Sequence, residues 1–287
     1  MSTEIKNIAL IGRTNLDAHQ KYFGEIVEFL HAHKKKIFLN TNIAKILKTK
    51  PSSTKVIRQE SDLILVFGGD GTLLGSVRNF LGTKAAFVGV RLEGTLGFLT
   101  EFAPEQLLQV LKNFLNKKFE VNERMLITAE VFRNDKIVKK VTALNEIILT
   151  QNKLARLIEL DFAFNDKRIA TFYADGAIVA TPTGSTAYSL SAGGPIVDPN
   201  LCAFILTPIN PHLLTNRPLV LSEHGKIQAH VRSKNLTLVA DGQITFPLKT
   251  EDKIIFYKTE WKMKVIYPHA RNHFTILQKK LNWSKRN

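Results

Sequence analysis

The part of this chain best suited to chemistry is an acid enclosed by glycines, Gly68-Gly69-Asp70-Gly71-Thr72. An apolar run, Leu63-Ile64-Leu65-Val66-Phe67, precedes it, and Leu73-Leu74-Gly75-Ser76-Val77 follows as the start of a helix. Strand, glycine turn and helix together hold phosphate, because glycines let backbone amides approach an anion and a helix N-terminus attracts negative charge. A carboxylate in such a turn opposes the phosphate. It is useful there if it takes a proton from a hydroxyl or helps to hold a divalent cation, which points to phosphoryl transfer. A bare helix cap would account for Asp70 but not for the three glycines around it.

No Walker A pattern occurs in the chain. Gly69-x-Gly71-x-x-x-Gly75 matches a dinucleotide fingerprint loosely, with Glu93 at about the ~20-residue spacing of a ribose-holding acid, but Asp70 argues against simple cofactor cradling. A second constellation runs from Asp175 to Pro195 and contains Thr181-Pro182-Thr183-Gly184-Ser185-Thr186-Ala187-Tyr188-Ser189. Small hydroxyl residues at a helix start supply donors with little bulk, which suits a ribose or base lying against the backbone, and Tyr188 adds a flat face. The competing reading is a capped helix with Tyr188 in the core. Asn145-Glu146, polar between apolar neighbours, reads either as an amide and acceptor pair for ribose hydroxyls or as a hairpin edge. His212, between prolines and leucines, reads more readily as structural, and Asp241-Gly242 as a hairpin turn.

Two kinds of element must position these residues. Up to about residue 124, short apolar runs (8–11, 37–39, 63–67, 86–90) alternate with helical patterns at 17–33, at 73–81 and after Pro104. That alternation predicts an α/β domain with a parallel sheet. From 125 to 267, strand-like segments dominate: 125–132, 136–142, 145–150, 156–164, 168–174, 177–181, 201–207, 217–221, 226–232, 236–240, 253–258 and 263–267. Asn134-Asp135 and Asn165-Asp166 mark hairpins, and one helix interrupts at about 185–192. The second domain is therefore expected to be mostly β and sandwich-like, with the helical tail 268–287 returning to the first domain.

Composition sets outer bounds. The 287 residues suffice for two domains, and a formal net charge of +15 favours anionic partners. His31 and His33 beside Lys34-Lys35-Lys36 lack the further ligands a zinc site needs and read as a solvated turn. Cys202 is the only cysteine, so an internal disulfide is excluded; its apolar surroundings predict a buried, inert thiol. No leader-like N-terminus or membrane-length apolar stretch is visible, and a cytoplasmic protein without membrane partners is expected.

The ordered set of Gly68-Gly69-Asp70-Gly71-Thr72, Leu96-Gly97-Phe98-Leu99, Asn145-Glu146, the run from Asp175 to Pro195, and Pro211-His212 to Arg217-Pro218 resembles the bacterial NAD kinases over nearly the whole chain. The Thr-Pro-Thr-Gly-Ser-Thr-Ala-Tyr-Ser run is the most specific part, since lipid kinases and phosphofructokinases share the Gly-Gly-Asp-Gly turn. The resemblance implies transfer of a terminal phosphoryl group from ATP or polyphosphate to the adenosine 2′-hydroxyl of NAD, giving NADP, with a divalent cation, Mg²⁺ expected. It implies Asp70 as the general base, Gly71 and Thr72 on phosphate, and Asn145 and Glu146 on ribose hydroxyls or the cation. Thr186, Ala187, Tyr188 and Ser191 would line the adenosine and nicotinamide pockets, with Phe98 and Ser189 in the same binding set. Asp175 would meet the nicotinamide end, Arg156 and Tyr173 would lie nearby, and Asn210 and Gln243 would complete the pocket. A homodimer or homotetramer is implied, because subunits of the family contribute to one another's sites. Two departures from the family pattern are the segment Val90-Arg91-Leu92-Glu93-Gly94-Thr95 ahead of the Leu-Gly-Phe-Leu motif and Tyr173 at an often basic position.

Two other classes compete. A lipid (diacylglycerol-type) kinase would use the same glycine turn but needs an apolar acyl tunnel, which the hydroxyl-rich run does not suit. A basic nucleic-acid-binding protein has no use for Asp70, and no nucleic-acid-binding motif is present, so a nucleic-acid partner is not expected.

Overall fold

The computed structural model describes residues 5–92, 97–100, 102–116, 119–151, 157–213, 215–267 and 272–283. In chain order the elements are β1 (Asn7–Gly12), α1 (Gln20–Ala32), β2 (Lys36–Leu39), α2 (Thr41–Ile46), α3 (Thr54–Glu60), β3 (Leu63–Phe67), α4 (Asp70–Asn79), β4 (Ala86–Val90), α5 (Pro104–Leu115), β5 (Glu120–Arg133), β6 (Lys136–Ala143) and β7 (Glu146–Gln151). They continue as β8 (Ile158–Phe164), β9 (Lys167–Ala174), β10 (Gly176–Ala180), α6 (Tyr188–Ser191), β11 (Ala203–Ile209), β12 (Leu219–Ser222), β13 (Ile227–Val231), β14 (Leu236–Ala240), β15 (Ile244–Leu248), β16 (Lys253–Tyr267) and α7 (His273–Leu281). The chain falls into two compact units, Met1–Glu123 with Lys264–Asn287, and Arg124–Met263.

The first unit is α/β. Its parallel sheet has the order β2-β1-β3-β4, and the last part of β16 adds to it, Lys264 lying opposite Ala86. Every residue of β3 and β4 is buried. Strands covered on both faces read as unbroken apolar runs, which is why Leu63–Phe67 was legible as sequence. Phe23, Ile26 and Leu30 of α1 and Leu107, Leu111 and Phe114 of α5 supply the core, with the Phe23 ring edge-on to Phe67 at 5.0 Å. Two short helices, α2 and α3, go beyond the sequence reading. Their six and seven residues are too few to show a helical period, and each depends on a cap: Asn40 Oδ1 accepts from Ile43 N at 3.1 Å and Ser53 Oγ from Val56 N at 3.3 Å. The helix expected over 73–81 begins earlier, at Asp70, so the glycine-rich segment is itself its first turn.

The second unit is mostly β. One antiparallel sheet has the order β12-β11-β10-β7-β14-β15; in the other, β16, β13, β8 and β9 pair in sequence while β5 pairs with β16 and β6. Ile147 and Leu149 of β7, Leu160 and Phe162 of β8, and Ile254 and Phe256 of β16 share one core, which makes the unit a sandwich. The hairpins at Asn134-Asp135 and Asn165-Asp166 form with positive φ at all four residues, as a type I′ turn requires. Three sequence expectations need correction. Segments 253–258 and 263–267 are one strand, β16. Strand β15 was not foreseen because Pro247 interrupts its pattern; proline is tolerated there because β15 is a sheet edge. Cys202 is exposed rather than buried, because it precedes β11, whose burial starts at Ala203.

Asp252, only 1% exposed, pins this unit's periphery: Arg133 Nε and Nη2 donate to it at 2.8 Å each, and Lys249 N at 2.8 Å. Asp252→Ala strands the guanidinium and the Lys249 amide. We expect it to destabilise the protein by roughly 2–4 kcal/mol in urea unfolding. A change below about 0.5 kcal/mol would place the pair with solvent-screened bridges.

Candidate active site

In the first unit the site is built around Asp70. Strand β3 ends at Phe67, and Gly68 turns the chain with φ +153° while its N–H donates to Val90 O at 2.9 Å. A side chain at Gly68 would overlap the Thr72 hydroxyl. Asp70 opens α4, where a negative side chain suits the helix dipole. Its carboxylate is anchored on the segment after β4. Oδ1 accepts from Leu99 N (3.2 Å), Thr100 N (2.9 Å) and Thr100 Oγ1 (2.8 Å), and Oδ2 accepts from Phe98 N (2.9 Å). A carboxylate has about four acceptor positions, and the division leaves the open one on Oδ2. Close approach is secured by glycines. A Cβ at Gly97 would overlap Asp70 Oδ1 and Thr100 Oγ1, and one at Gly89 would lie 2.6 Å from Leu99 O. Thr100 is buried, Thr72 and Phe98 are half-buried, and Gly71 is exposed. Lys280 of α7 stands over the Phe98 ring at 5.6 Å. Glu93 and Leu96 lie outside the described residues.

In the second unit, one end of β7, β10 and β14 gathers a second group. Glu146 pairs with Ala180 across the sheet, and Asp241 follows β14. The hydroxyl-rich run packs on the same end: Thr181 N donates to Asn145 O at 2.8 Å, Thr181 Oγ1 donates to Leu144 O at 2.6 Å, and a Cβ at Gly184 would overlap Asn145 O. The run divides by role. Ser185 and Ser189 are fully buried; Ser185 bonds to Pro182 and Val197, and Ser189 to Thr207 Oγ1 at 3.1 Å. Thr186 and Ala187 are half-buried, and Tyr188 (46% exposed), Ser191 and Gln243 face solvent, so Tyr188 is not core packing. Asn145 Oδ1 and Glu146 Oε2 are buried without hydrogen-bond partners. Burial, with the nearby Asp241 charge adding to it, pushes the Glu146 carboxyl up to about 8, opposed by a hydrogen bond from the Tyr188 amide.

The remaining predicted residues sit elsewhere. Asp175 precedes β10 at its other end, beside the Thr150–Gly176 pair, and its Oδ2 accepts from Asn210 Nδ2 at 3.0 Å. Tyr173 is exposed with its hydroxyl on Glu159 Oε1 at 3.2 Å, and its carbonyl accepts from His212 N at 2.8 Å. The length of β10 separates Asp175 from Glu146 by about 16 Å. Arg156 lies outside the described residues. Sequence reasoning missed Thr100, which the Leu-Gly-Phe-Leu motif borders, and Asp241, whose Asp-Gly turn chemistry concealed a second role.

Among the described residues, no group of three or more His, Cys, Asp and Glu is arranged to hold a metal ion, and no helix is long and apolar enough to cross a membrane. The family models described as the ATP-NAD kinase N-terminal and C-terminal domains match residues 10–119 and 144–267. The chain is 38% identical over 286 residues to the NAD kinase of Trichlorobacter lovleyi, covering 98% of this chain and 100% of that protein. This chain belongs to the NAD kinase family. The NAD kinase of Colwellia psychrerythraea is 35% identical over 292 residues, covering 100% and 99%. Among solved structures, yeast NADH kinase complexed with NADH superposes with a TM-score of 0.89 at 25% identity, covering 99% of this chain and 90% of that one. An NAD kinase from Archaeoglobus fulgidus in complex with ATP gives 0.77 at 29% identity, covering 96% and 98%. NAD kinase membership leaves the lipid-kinase and nucleic-acid-binding readings without support.

The glycine packing makes a direct prediction. Gly97→Ala must displace either Asp70 or Thr100. We expect NADP formation to fall at least about tenfold while stability drops by roughly 1–3 kcal/mol. Activity within about twofold of the native protein would mean that Asp70 does not need its present position.

Proposed function

We propose that this NAD kinase transfers the terminal phosphoryl group of ATP to the 2′-hydroxyl of the adenosine ribose of NAD, with Asp70 as general base. The observation that carries the role of Asp70 is the division of its hydrogen bonds: three fix Oδ1, one holds Oδ2, and the open lone pair on Oδ2 can accept a hydroxyl proton. Gly71 and Thr72, in the first turn of α4, lie where the helix dipole favours phosphate, and Phe98 lines the acceptor side. Asn145 and Glu146 meet the ribose hydroxyls, and the half-buried or exposed members of the hydroxyl-rich run, Thr186, Ala187, Tyr188 and Ser191, line the base pockets, with Gln243 at the rim. Ser189 supports that run from below through Thr207. A divalent cation, Mg²⁺ by our reading, arrives with the nucleotide; such a cation is commonly held by substrate phosphates with few protein carboxylates. It would neutralise phosphate charge during transfer. Polyphosphate presents the same terminal phosphoryl chemistry.

The Asp175 group, with Tyr173, Asn210 and, by resemblance, Arg156, lies too far along β10 to share the Glu146 pocket directly. We assign it to the nicotinamide end of a dinucleotide bound by a second copy in a homodimer or homotetramer. Mixing inactive Asp70→Asn and Asp175→Ala proteins would then restore a fraction of activity, in step with a dimer or tetramer mass by light scattering. A monomer, or a mixture with no recovery, would remove the shared site.

A coupled assay for NADP tests the base directly. We expect Asp70→Asn to lower turnover by about 10²–10⁴-fold. The asparagine oxygen can keep the Oδ1 partners while its amide loses only the Phe98 N–H, so a near-native melting curve is expected alongside. Near-normal turnover would show that Asp70 is not the base.

A further inference from the structure

Helix α7 belongs to the first unit and carries two adjacent lysines in its last turn, Lys279 and Lys280. Both complement the negative end of the helix dipole, but they face different ways. Ile276 and Leu277 are the buried residues of α7, and Lys280 follows them by four and three positions, on the same helix face. Lys280 is accordingly half-buried, whereas Gln278 and Lys279 are exposed. The Lys280 ammonium stands over the Phe98 ring, 5.6 Å from its centroid, and has no hydrogen-bond or ion-pair partner among the described residues. Phe98 in turn donates its backbone N–H to Asp70 Oδ2 at 2.9 Å, the oxygen with the open lone pair. A single residue thus stands between this cation and the carboxylate. The helix dipole accounts for a lysine at the end of α7, but not for one on its inward face.

We propose that Lys280 binds the phosphoryl group as it reaches the acceptor hydroxyl, and with it the 2′-phosphate of the product. In the transfer, the ribose 2′-oxygen forms a bond to the terminal phosphorus of ATP while the bond from that phosphorus to the bridging oxygen breaks. ADP leaves with that electron pair, and the hydroxyl proton passes to Asp70 Oδ2. A neutral hydroxyl is thereby replaced by a phosphate monoester carrying close to two negative charges, beside a carboxylate. Asp70 attracts the substrate proton and repels the group that takes its place, so a cation on the acceptor side lowers the cost of transfer. Lysine suits that task. It is a compact charge on a flexible stem, and its cation–π contact is weaker than a charge-assisted hydrogen bond to phosphate. The inference rests on the assignment of Asp70 and Phe98 to the acceptor hydroxyl. It concerns the preference between two ligands that differ by one phosphate, which is read without turnover.

The test is titration calorimetry on the full-length protein with NAD and NADP separately, without ATP. Lys280→Met removes the charge while its stem and sulfur still cover the Phe98 ring, so the melting curve should stay near native. It should weaken NADP binding by about ten- to a hundredfold and leave NAD binding within about twofold. Lys280→Arg should keep most of the NADP affinity. Lys279→Met removes the same charge from the exposed face of the same helix and should change neither ligand. In single-turnover mixing with ATP, Lys280→Met should slow transfer at least about tenfold with an unchanged dependence on NAD concentration, as for a contact made only when the phosphoryl group arrives. Equal weakening of NAD and NADP would show that Lys280 acts only through the packing of Phe98. Equal losses in Lys279→Met and Lys280→Met would show a general effect of net charge. Either result overturns the inference, as does native NADP binding by Lys280→Met. If Lys280→Met does not fold, Lys280→Gln gives the same comparison. A native protein that makes no NADP from NAD and ATP would overturn the kinase reading instead; one that makes NADP, with the binding preference unchanged in Lys280→Met, overturns this inference alone.

Discussion

Four hydrogen bonds tie Asp70 to the backbone of Phe98, Leu99 and Thr100 and to the Thr100 hydroxyl, and the first unit's site depends on them. They join the start of α4 to a segment about 30 residues later and require several absent side chains. Gly68 leaves room for Thr72, Gly97 for the carboxylate itself, and Gly89 for the carbonyl of Leu99. Each glycine is thus explained by a neighbour and not by flexibility. In the role proposed for it, a carboxylate held in this way would need little reorganisation when a hydroxyl reaches it, which is where positioning lowers a barrier.

The second unit solves a related problem with the roles exchanged. There an acid, Asp241, is the fixed point, and the atoms left unsatisfied are the amide oxygen of Asn145 and Oε2 of Glu146. Buried polar atoms without partners are costly, and a substrate hydroxyl would complete these two in the role proposed for them. The hydroxyl-rich run shows the same economy: its buried members, Ser185 and Ser189, bind the framework, and its open members, Tyr188 and Ser191, remain available.

Much of this was legible in the sequence because it rests on local rules. Continuous apolar runs gave the parallel strands, paired Asn-Asp dipeptides gave two hairpins, and the glycine turn announced the acid. What was not legible arises from distance or brevity. Helices α2 and α3 are shorter than the period that would reveal them, and β15 carries a proline that only its edge position permits. Asp241 reads as an ordinary turn residue because its three partners lie about a hundred residues earlier. Cys202 was misjudged by apolar neighbours that become buried one residue later. The two groups at either end of β10 look like one binding set on paper, since Asp175 and Thr186 are near in sequence, and only the extended strand between them separates their positions.

The exposed Cys202 has a practical consequence. As the one thiol in the chain, and an accessible one, it accepts a fluorophore or spin label at a single defined position without prior mutagenesis. It lies just ahead of β11, whose Ile205 pairs with the Ala180 end of β10, the end nearest Glu146. A label there is a native spectroscopic reporter beside the Glu146 end of the sheet, and in an assembly the same label on each copy turns the spacing between protomers into a measurable distance.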